Sequence, residues 1–241
     1  MTTTELLPTP AVLGNTLPRH IAFIADGNRR WAKARGATVE EGYREGAAAV
    51  HRTLAHCRAL GIEAVSVFLM SDRNFDRDPA EVAVLVDVIA NIVDTEAAAS
   101  TGPVRILSSG PTMPVRAPQF LLETIARAER RTAHRTGMTV CLGIGYDGHD
   151  DIRRAFYQAA TASDRDEAAR LPVDEYLTTS GLPALDLVVR TSGERRLSGF
   201  LLWQSADATL HFDDCMWPDY DTAALVEALA VHSTQTRANG R

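Results

Sequence analysis

The sequence predicts an α/β fold, one domain built on a mostly parallel sheet. Three observations point there: from Pro18 onward short apolar runs alternate with stretches of helical periodicity, the alternation shows no internal repeat or low-complexity tract, and polar clusters recur just behind apolar runs. HIAFIA (20–25) reads as the first buried strand. EEGYREGAAAVHRTLAHCRALG (40–61) carries apolar positions at helical spacing and stops at Gly61, a C-terminal cap. EAVSVFLM (63–70) is the second strand, and SDRNFDRDP the polar loop behind it. A helix over 79–100 starts on Pro79 and is apolar nearly all round its middle, through Val82, Val84, Leu85, Val86, Val88, Ile89, Ile92 and Val93. Such a helix belongs to a core or lines a pocket for a greasy substrate. Next come a strand at VRILSS (104–109), a helix over 118–137, a strand at MTVCLGIG (138–145) and a helix over 149–160. A charged connector (161–175), a strand at ALDLVVRTS (184–192), a helical turn and short strand within 200–212, and a terminal helix over 221–234 complete the chain.

Length and composition bound the function. The 241 residues, 45% of them apolar, suit a single domain over 19–232, with a Pro-punctuated lead-in at 1–18 and a tail at 233–241. Lys and Arg total 25 against 31 Asp and Glu, so the net charge of −6 argues against a general nucleic-acid or anionic-membrane surface. Cys57, Cys141 and Cys215 lie far apart without metal-ligand spacing, as expected of buried thiols in a reducing compartment. No run reaches the ~18 apolar residues a spanning helix needs, and a cytoplasmic protein without stable membrane insertion is expected.

Three polar clusters follow predicted strands: Asp26-Gly27-Asn28-Arg29-Arg30, then Ser71 to Arg77, then RTSGERRLSG from Arg190 to Gly199. In open parallel sheets the ligand crevice lies outside the strand C-termini, so all three should converge. Gly27 lacks the Cβ where the chain leaves the strand, and Arg30 offers a forked donor set that matches phosphate oxygens. Arg190, Gly193, Arg196 and Ser198 repeat the recipe. Two such nests suggest two phosphate-bearing groups in one cleft, with Asp26 placed to hold a divalent metal that neutralises a departing diphosphate.

HIAFIADGNRRWAKARG, SDRNFDRDPAEVAVL and DLVVRTSGERRLSGFLLWQSADATLHFDDCMWPDY resemble the signature segments of the cis-prenyltransferases, the undecaprenyl diphosphate synthase family, and the likeness runs from about residue 18 to about 230. The resemblance implies a homodimeric α/β fold with a six-stranded parallel sheet, a hydrophobic tunnel, prenyl diphosphate substrates and Mg²⁺. By position Asp26 matches the catalytic, metal-holding aspartate. Gly27, Asn28, Arg30 and Arg77 match residues that hold the allylic diphosphate, and Asn74 matches a loop asparagine near the reacting carbons. Arg190, Arg196 and Ser198 match the second diphosphate site. Arg29 and Ser71 complete the candidate binding set.

The sequence also departs from the family pattern. Arg29 stands where a glycine is usual, Val39 and Tyr43 where arginine and histidine are, and Asp72-Arg73-Asn74-Phe75 where Ser-Glu-Asn-Trp is. Arg195 replaces a common histidine, Thr209 a glutamate that helps handle Mg²⁺, and GYDGHD lacks the Asn-Tyr-Gly-Gly pattern. Because these changes gather in the two sites, this reading favours irregular, head-to-middle coupling to dimethylallyl diphosphate, of a lavandulyl type and in secondary metabolism. Regular head-to-tail coupling to isopentenyl diphosphate, release onto a non-diphosphate acceptor, and a silent partner subunit are the other readings. Tyr43, Tyr146 and His149 are read as structural rather than as the proton acceptor, and Asp213, Asp214 and Asp219 as organising the C-terminal fold. Arg237 loosely matches a C-terminal arginine that reaches a partner's site.

Overall fold

A computed structural model describes residues 17–109, 113–162 and 173–238. Six strands, β1 (His20–Ile24), β2 (Ala64–Ser71), β3 (Val104–Leu107), β4 (Thr139–Tyr146), β5 (Leu187–Arg190) and β6 (Thr209–Phe212), form one sheet in the order β3-β4-β2-β1-β5-β6, every pair parallel. Seven helices connect or cover them: α1 (Asn28–Ala34), α2 (Val39–Ala59), α3 (Pro79–Ala99), α4 (Met113–Arg116), α5 (Gln119–Thr132), α6 (Gly148–Ala162) and α7 (Thr222–Ala238). The lead-in through residue 16, most of the charged connector and the last three residues lie outside the described residues, as does the side chain of Arg237. The boundary drawn at 232 falls inside α7.

The predicted strands are continuous apolar runs because both sheet faces are covered. Ile21 and Phe23 of β1 face one core with Trp217 and Tyr220, while Ala22 and Ile24 face another with Tyr146 and Phe200. Aromatic packing anchors each side. Trp217 stacks on Tyr220 at 5.3 Å, and Phe68 stacks on Phe200 at 4.5 Å. Helix α2 begins one residue earlier than its periodicity predicts because Thr38 and Glu41 form a reciprocal capping box. Helix α3 starts where Pro79 predicts, with the Asp78 carboxylate accepting from the Ala80 and Glu81 amides. Its middle is core, through Leu85, Val86, Ile89, Ile92 and Val93, and Leu85, Val88, Ile89 and Ile92 also line a small hollow described below.

Register places the functional ends together. Ile24, the last residue of β1, pairs with Phe68 on one side and with Arg190 on the other. The segments behind β1, β2 and β5 therefore leave the sheet side by side.

His20, at the opposite end of β1, is buried with Nε2 2.8 Å from Ser66 Oγ and Nδ1 3.1 Å from the Pro183 carbonyl. Only a donor satisfies a carbonyl, so Nδ1 carries the proton and the ring is neutral. Burial pushes its pKa down to about 4. Below pH ~6.5 the unfolded chain thus binds a proton that the folded chain refuses; this stability is complete above that pH and is lost as pH falls toward 4. Urea denaturation should show about 2 kcal/mol less stability at pH 5 than at pH 7 from this group, at ~1.36 kcal/mol per unit, and His20→Gln should remove that difference.

Candidate active site

Asp26 joins the first and last clusters. Arg190 Nη2 donates to its Oδ2 at 2.8 Å, and Arg30 Nη2 lies 3.5 Å from its Oδ1. The backbone is held as tightly: the Asp26 carbonyl accepts from Thr191 Oγ1 at 2.7 Å and from the Trp217 amide at 3.0 Å. Gly27 then turns at φ 110°, with Ser192 and Met216 crowding the place of a Cβ at 3.1 Å. A side chain there would be strained in backbone and blocked in space.

Arg190 is almost fully buried, its side chain 4% exposed against 34% for Asp26. Besides Asp26 it donates to Ser198 Oγ at 2.6 Å and to the Arg196 carbonyl. That fork shapes the RTSGERRLSG loop, in which Ser192 and Ser198 hold left-handed backbones at φ 77° and 51°. Backbone bonds from Ser192 to Cys215 and from Gly193 to Asp213 pin the loop to the segment behind β6. Arg30 crosses from α1 to donate to the Ser192 carbonyl and hydroxyl at 3.2 and 2.6 Å, and Glu194 pairs with the exposed Arg196.

On the other wall, one carboxylate oxygen gathers three groups. Glu81 Oε1 accepts from Tyr43 OH at 2.7 Å and from Arg77 Nη1 at 3.1 Å, and lies 3.5 Å from Arg29 Nη1. Arg77 Nη1 also donates to Tyr43 OH at 3.0 Å. Burial, with the bond to Glu81, pushes the Tyr43 pKa up to about 12, so the phenol stays protonated and can serve as a hydrogen-bond link. Asn74 Oδ1 accepts from the Ser71 amide at 3.0 Å, which fixes the loop behind β2.

All eleven residues nominated from the sequence (Asp26, Gly27, Asn28, Arg29, Arg30, Ser71, Asn74, Arg77, Arg190, Arg196 and Ser198) line one cleft of about 850 Å³. Beside it, behind Tyr43 and Leu85, lies an apolar hollow of about 30 Å³ walled by α2, α3 and Trp217, room for little more than a water molecule. Asn28 and Tyr43 line both spaces.

Sequence reasoning missed Glu81, Thr191, Ser192 and Glu194. Glu81 had a signal, since it stands four residues beyond Arg77 in the first turn of the helix that follows. Tyr146 and His149 also line the cleft, but Tyr146 donates its hydroxyl to the buried Asp151, and His149 is exposed beside Asp147 at 3.4 Å. Thr209 is buried at the start of β6, its hydroxyl 3.2 Å from His232 Nδ1, and does not line the cleft. Asp219 binds Trp31 and Arg35, and Asp213 caps the Cys215 amide. No group of three or more His, Cys, Asp or Glu side chains among the described residues could hold a metal alone. None of the described helices is long and apolar enough to cross a membrane.

A cleft with arginines on both flanks of one carboxylate, opening beside an apolar hollow at the strand C-termini, is the geometry of an enzyme that handles diphosphates carrying apolar chains. Residues 24–240 match the prenyltransferase family described as "Putative undecaprenyl diphosphate synthase". The chain belongs to this cis-prenyltransferase family and is a prenyltransferase. It is 38% identical over 221 residues to the ditrans,polycis-undecaprenyl-diphosphate synthase ((2E,6E)-farnesyl-diphosphate specific) of Vibrio cholerae, covering 89% of this chain and 88% of that one. It is 36% identical over 242 residues to the (2Z,6E)-farnesyl diphosphate synthase of Mycobacterium tuberculosis, at 93% and 88% coverage. A solved structure of lavandulyl diphosphate synthase from Lavandula x intermedia, in complex with dimethylallyl diphosphate, superposes with a TM-score of 0.81 at 30% identity, covering 90% of this chain and 95% of that one.

Arg190→Lys tests the joint between the two nests. A lysine keeps the charge but lacks the rigid fork that reaches Asp26, the Arg196 carbonyl and Ser198 together. The variant should fold with a thermal midpoint near wild type and lose about 100-fold in kcat/KM, the scale of one lost preorganised donor set, in steady-state assays of coupling.

Proposed function

We propose that this prenyltransferase joins a short allylic diphosphate, bound over Asp26, to isopentenyl diphosphate bound between Arg190 and Arg196, in a head-to-tail cis coupling that ends at a short product. The observation that carries this reading is the Asp26 carboxylate, held between Arg190 and Arg30 beside an apolar hollow of only about 30 Å³. Ionising the allylic C–O bond leaves a cation and a diphosphate. Arg30 and Arg77 offer donors to the leaving anion, while Arg190 and Arg196, with Ser198, hold the second diphosphate so that its alkene faces the cation; the alkene then forms the new C–C bond and the proton released beside it passes to the departed diphosphate. The apolar wall from Leu69 and Leu85 keeps water from the cation.

Asp26 fits Mg²⁺: a third of its side chain faces the cleft, and Mg²⁺ characteristically takes one or two carboxylates plus substrate phosphates and waters rather than a protein cage. Bound there, Mg²⁺ would neutralise the departing diphosphate. Two departures from the family pattern are absorbed within the protein. Arg29 has Glu81 as counter-ion, and Thr209 turns to His232. Neither adds an unpaired group to the cleft, which supports ordinary coupling.

A second reading, irregular coupling to dimethylallyl diphosphate, is favoured by the likeness to the lavender enzyme and the ligand in its structure. Incubation of dimethylallyl, geranyl and farnesyl diphosphates with isopentenyl or with dimethylallyl diphosphate, followed by product mass and stereochemistry, separates the two. The expected product is a linear cis chain dependent on isopentenyl diphosphate. A branched product from dimethylallyl diphosphate alone establishes the second reading and ends the first. Asp26→Ala should lower turnover about 1,000-fold; unchanged turnover would mean that the protein works only as a partner to another chain.

We also propose a homodimer. Phe156 and Trp203 pack edge to face at 6.1 Å while 51% and 39% exposed, and Tyr157 beside them is 71% exposed, an apolar surface suited to a second copy. Light scattering should give twice the chain mass, and Phe156→Glu should give the monomer.

A further inference from the structure

Deepening the reading above, on which it rests, we propose that Gly46 is a positioning residue for the coupling: the bare backbone at this position seats the Asn28 amide and so keeps it from narrowing the cleft. Helix α2 carries Gly42 and Gly46 four residues apart on one face, although each mid-helix glycine costs roughly 0.5–1 kcal/mol relative to alanine. Both lie against Asn28. A Cβ at Gly42 would stand 2.5 Å from the Asn28 carbonyl oxygen, so Gly42 sets how closely α1 approaches α2. A Cβ at Gly46 would stand 2.3 Å from Asn28 Oδ1 and 2.9 Å from Asn28 Cγ, meeting the side chain alone.

Shape holds that amide more than hydrogen bonding does. Nδ2 makes one long bond to the Ala25 carbonyl at 3.4 Å, and Oδ1 is buried with no hydrogen-bond partner in the protein. Yet Asn28 is a shared wall, lining both the cleft and the hollow, while Gly46 lines the hollow only. A methyl at position 46 occupies the place of Oδ1. Helix α2 is held there, since the Gly46 carbonyl accepts from the buried Trp217 Nε1 at 2.9 Å. The amide is the part that gives way, and the open directions are the two spaces it divides. Displaced, it enters the cleft. A five-carbon tail is short enough to stay clear of it, whereas ten- and fifteen-carbon tails extend past it along the cleft's apolar wall of Leu69 and Leu85.

The test compares Gly46→Ala, Asn28→Ala and the double variant, with dimethylallyl, geranyl and farnesyl diphosphates in turnover and with their unreactive thiodiphosphate analogues in calorimetry. Gly46→Ala should weaken the two longer substrates about tenfold, the scale of one misplaced methyl in a tight apolar site, and the five-carbon one less than about threefold. With Asn28→Ala the added methyl has its space, so the second substitution should cost no further affinity and should no longer lower the thermal midpoint. Equal loss at all three chain lengths, or a loss that persists with Asn28→Ala, overturns the proposal. Gly46→Ala that weakens binding of the analogues with the predicted length dependence, in a protein whose wild type turns over none of the diphosphates, overturns the coupling reaction and leaves the role of Gly46 standing.

Discussion

The bond between Arg190 and Asp26 is the contact on which the site depends. It links the ends of β5 and β1, places a buried guanidinium behind a half-open carboxylate, and leaves that carboxylate's other oxygen toward Arg30. Taking both ions out of water would cost several kcal/mol apiece if they were isolated. The arrangement is tolerable because the fork is satisfied by Asp26, Ser198 and the Arg196 carbonyl together, and because Asp26 keeps one side on the cleft. One geometry thus fixes both the 190–199 loop and the acid at the end of β1. Neither nest could shift without the other.

Around that joint the cations are held by the protein's own anions. Glu81 collects Arg29, Arg77 and Tyr43 on one wall, and Glu194 meets Arg30 and Arg196 on the other. Unpaired guanidiniums at such spacing would repel, and long exposed side chains would sample many rotamers. Internal carboxylates hold the forks in place ahead of the ligand, which lowers the ordering cost of binding. They also compete with it. In the proposed coupling, a diphosphate that must draw Arg77 from Glu81 would be bound less tightly than by an unpaired guanidinium, and would depart more readily.

The strands were legible from the sequence because a parallel sheet covered on both faces demands unbroken apolar runs, and HIAFIA, EAVSVFLM and ALDLVVRTS are such runs. The convergence of the three clusters was legible too, since parallel strands bring their C-terminal ends to one edge. What escaped was whatever depends on long-range approach. Glu81 reads as an ordinary first-turn acid of a helix until Tyr43 and Arg29, distant in sequence, are seen on the same oxygen. Arg29 reads as an extra cation for the substrate until its partner is known. Thr209 reads as a lost metal ligand until His232 in the last helix is found beside it. The box formed by Thr38 and Glu41 was a local signal left unused, and it moved a helix start by one residue.

The hollow beside Asp26 carries the last constraint. An allylic cation survives long enough to be captured only where water is scarce, and a cavity of about 30 Å³ walled by Val50, Leu69, Leu85 and Ile89 holds almost none. Its smallness is built by close packing rather than by one plug, because Gly46, Ala47 and Val50 of α2 line one side while α3 presents Leu85, Val88, Ile89 and Ile92 from the other. Widening such a space to admit a long chain would mean moving Val88 or Ile92 on α3 against a core formed by Val86 and Val93 of the same helix. Packed interiors resist that displacement at the scale of single methylenes. In the coupling proposed above, that resistance would bound the length of the product and keep the cation dry.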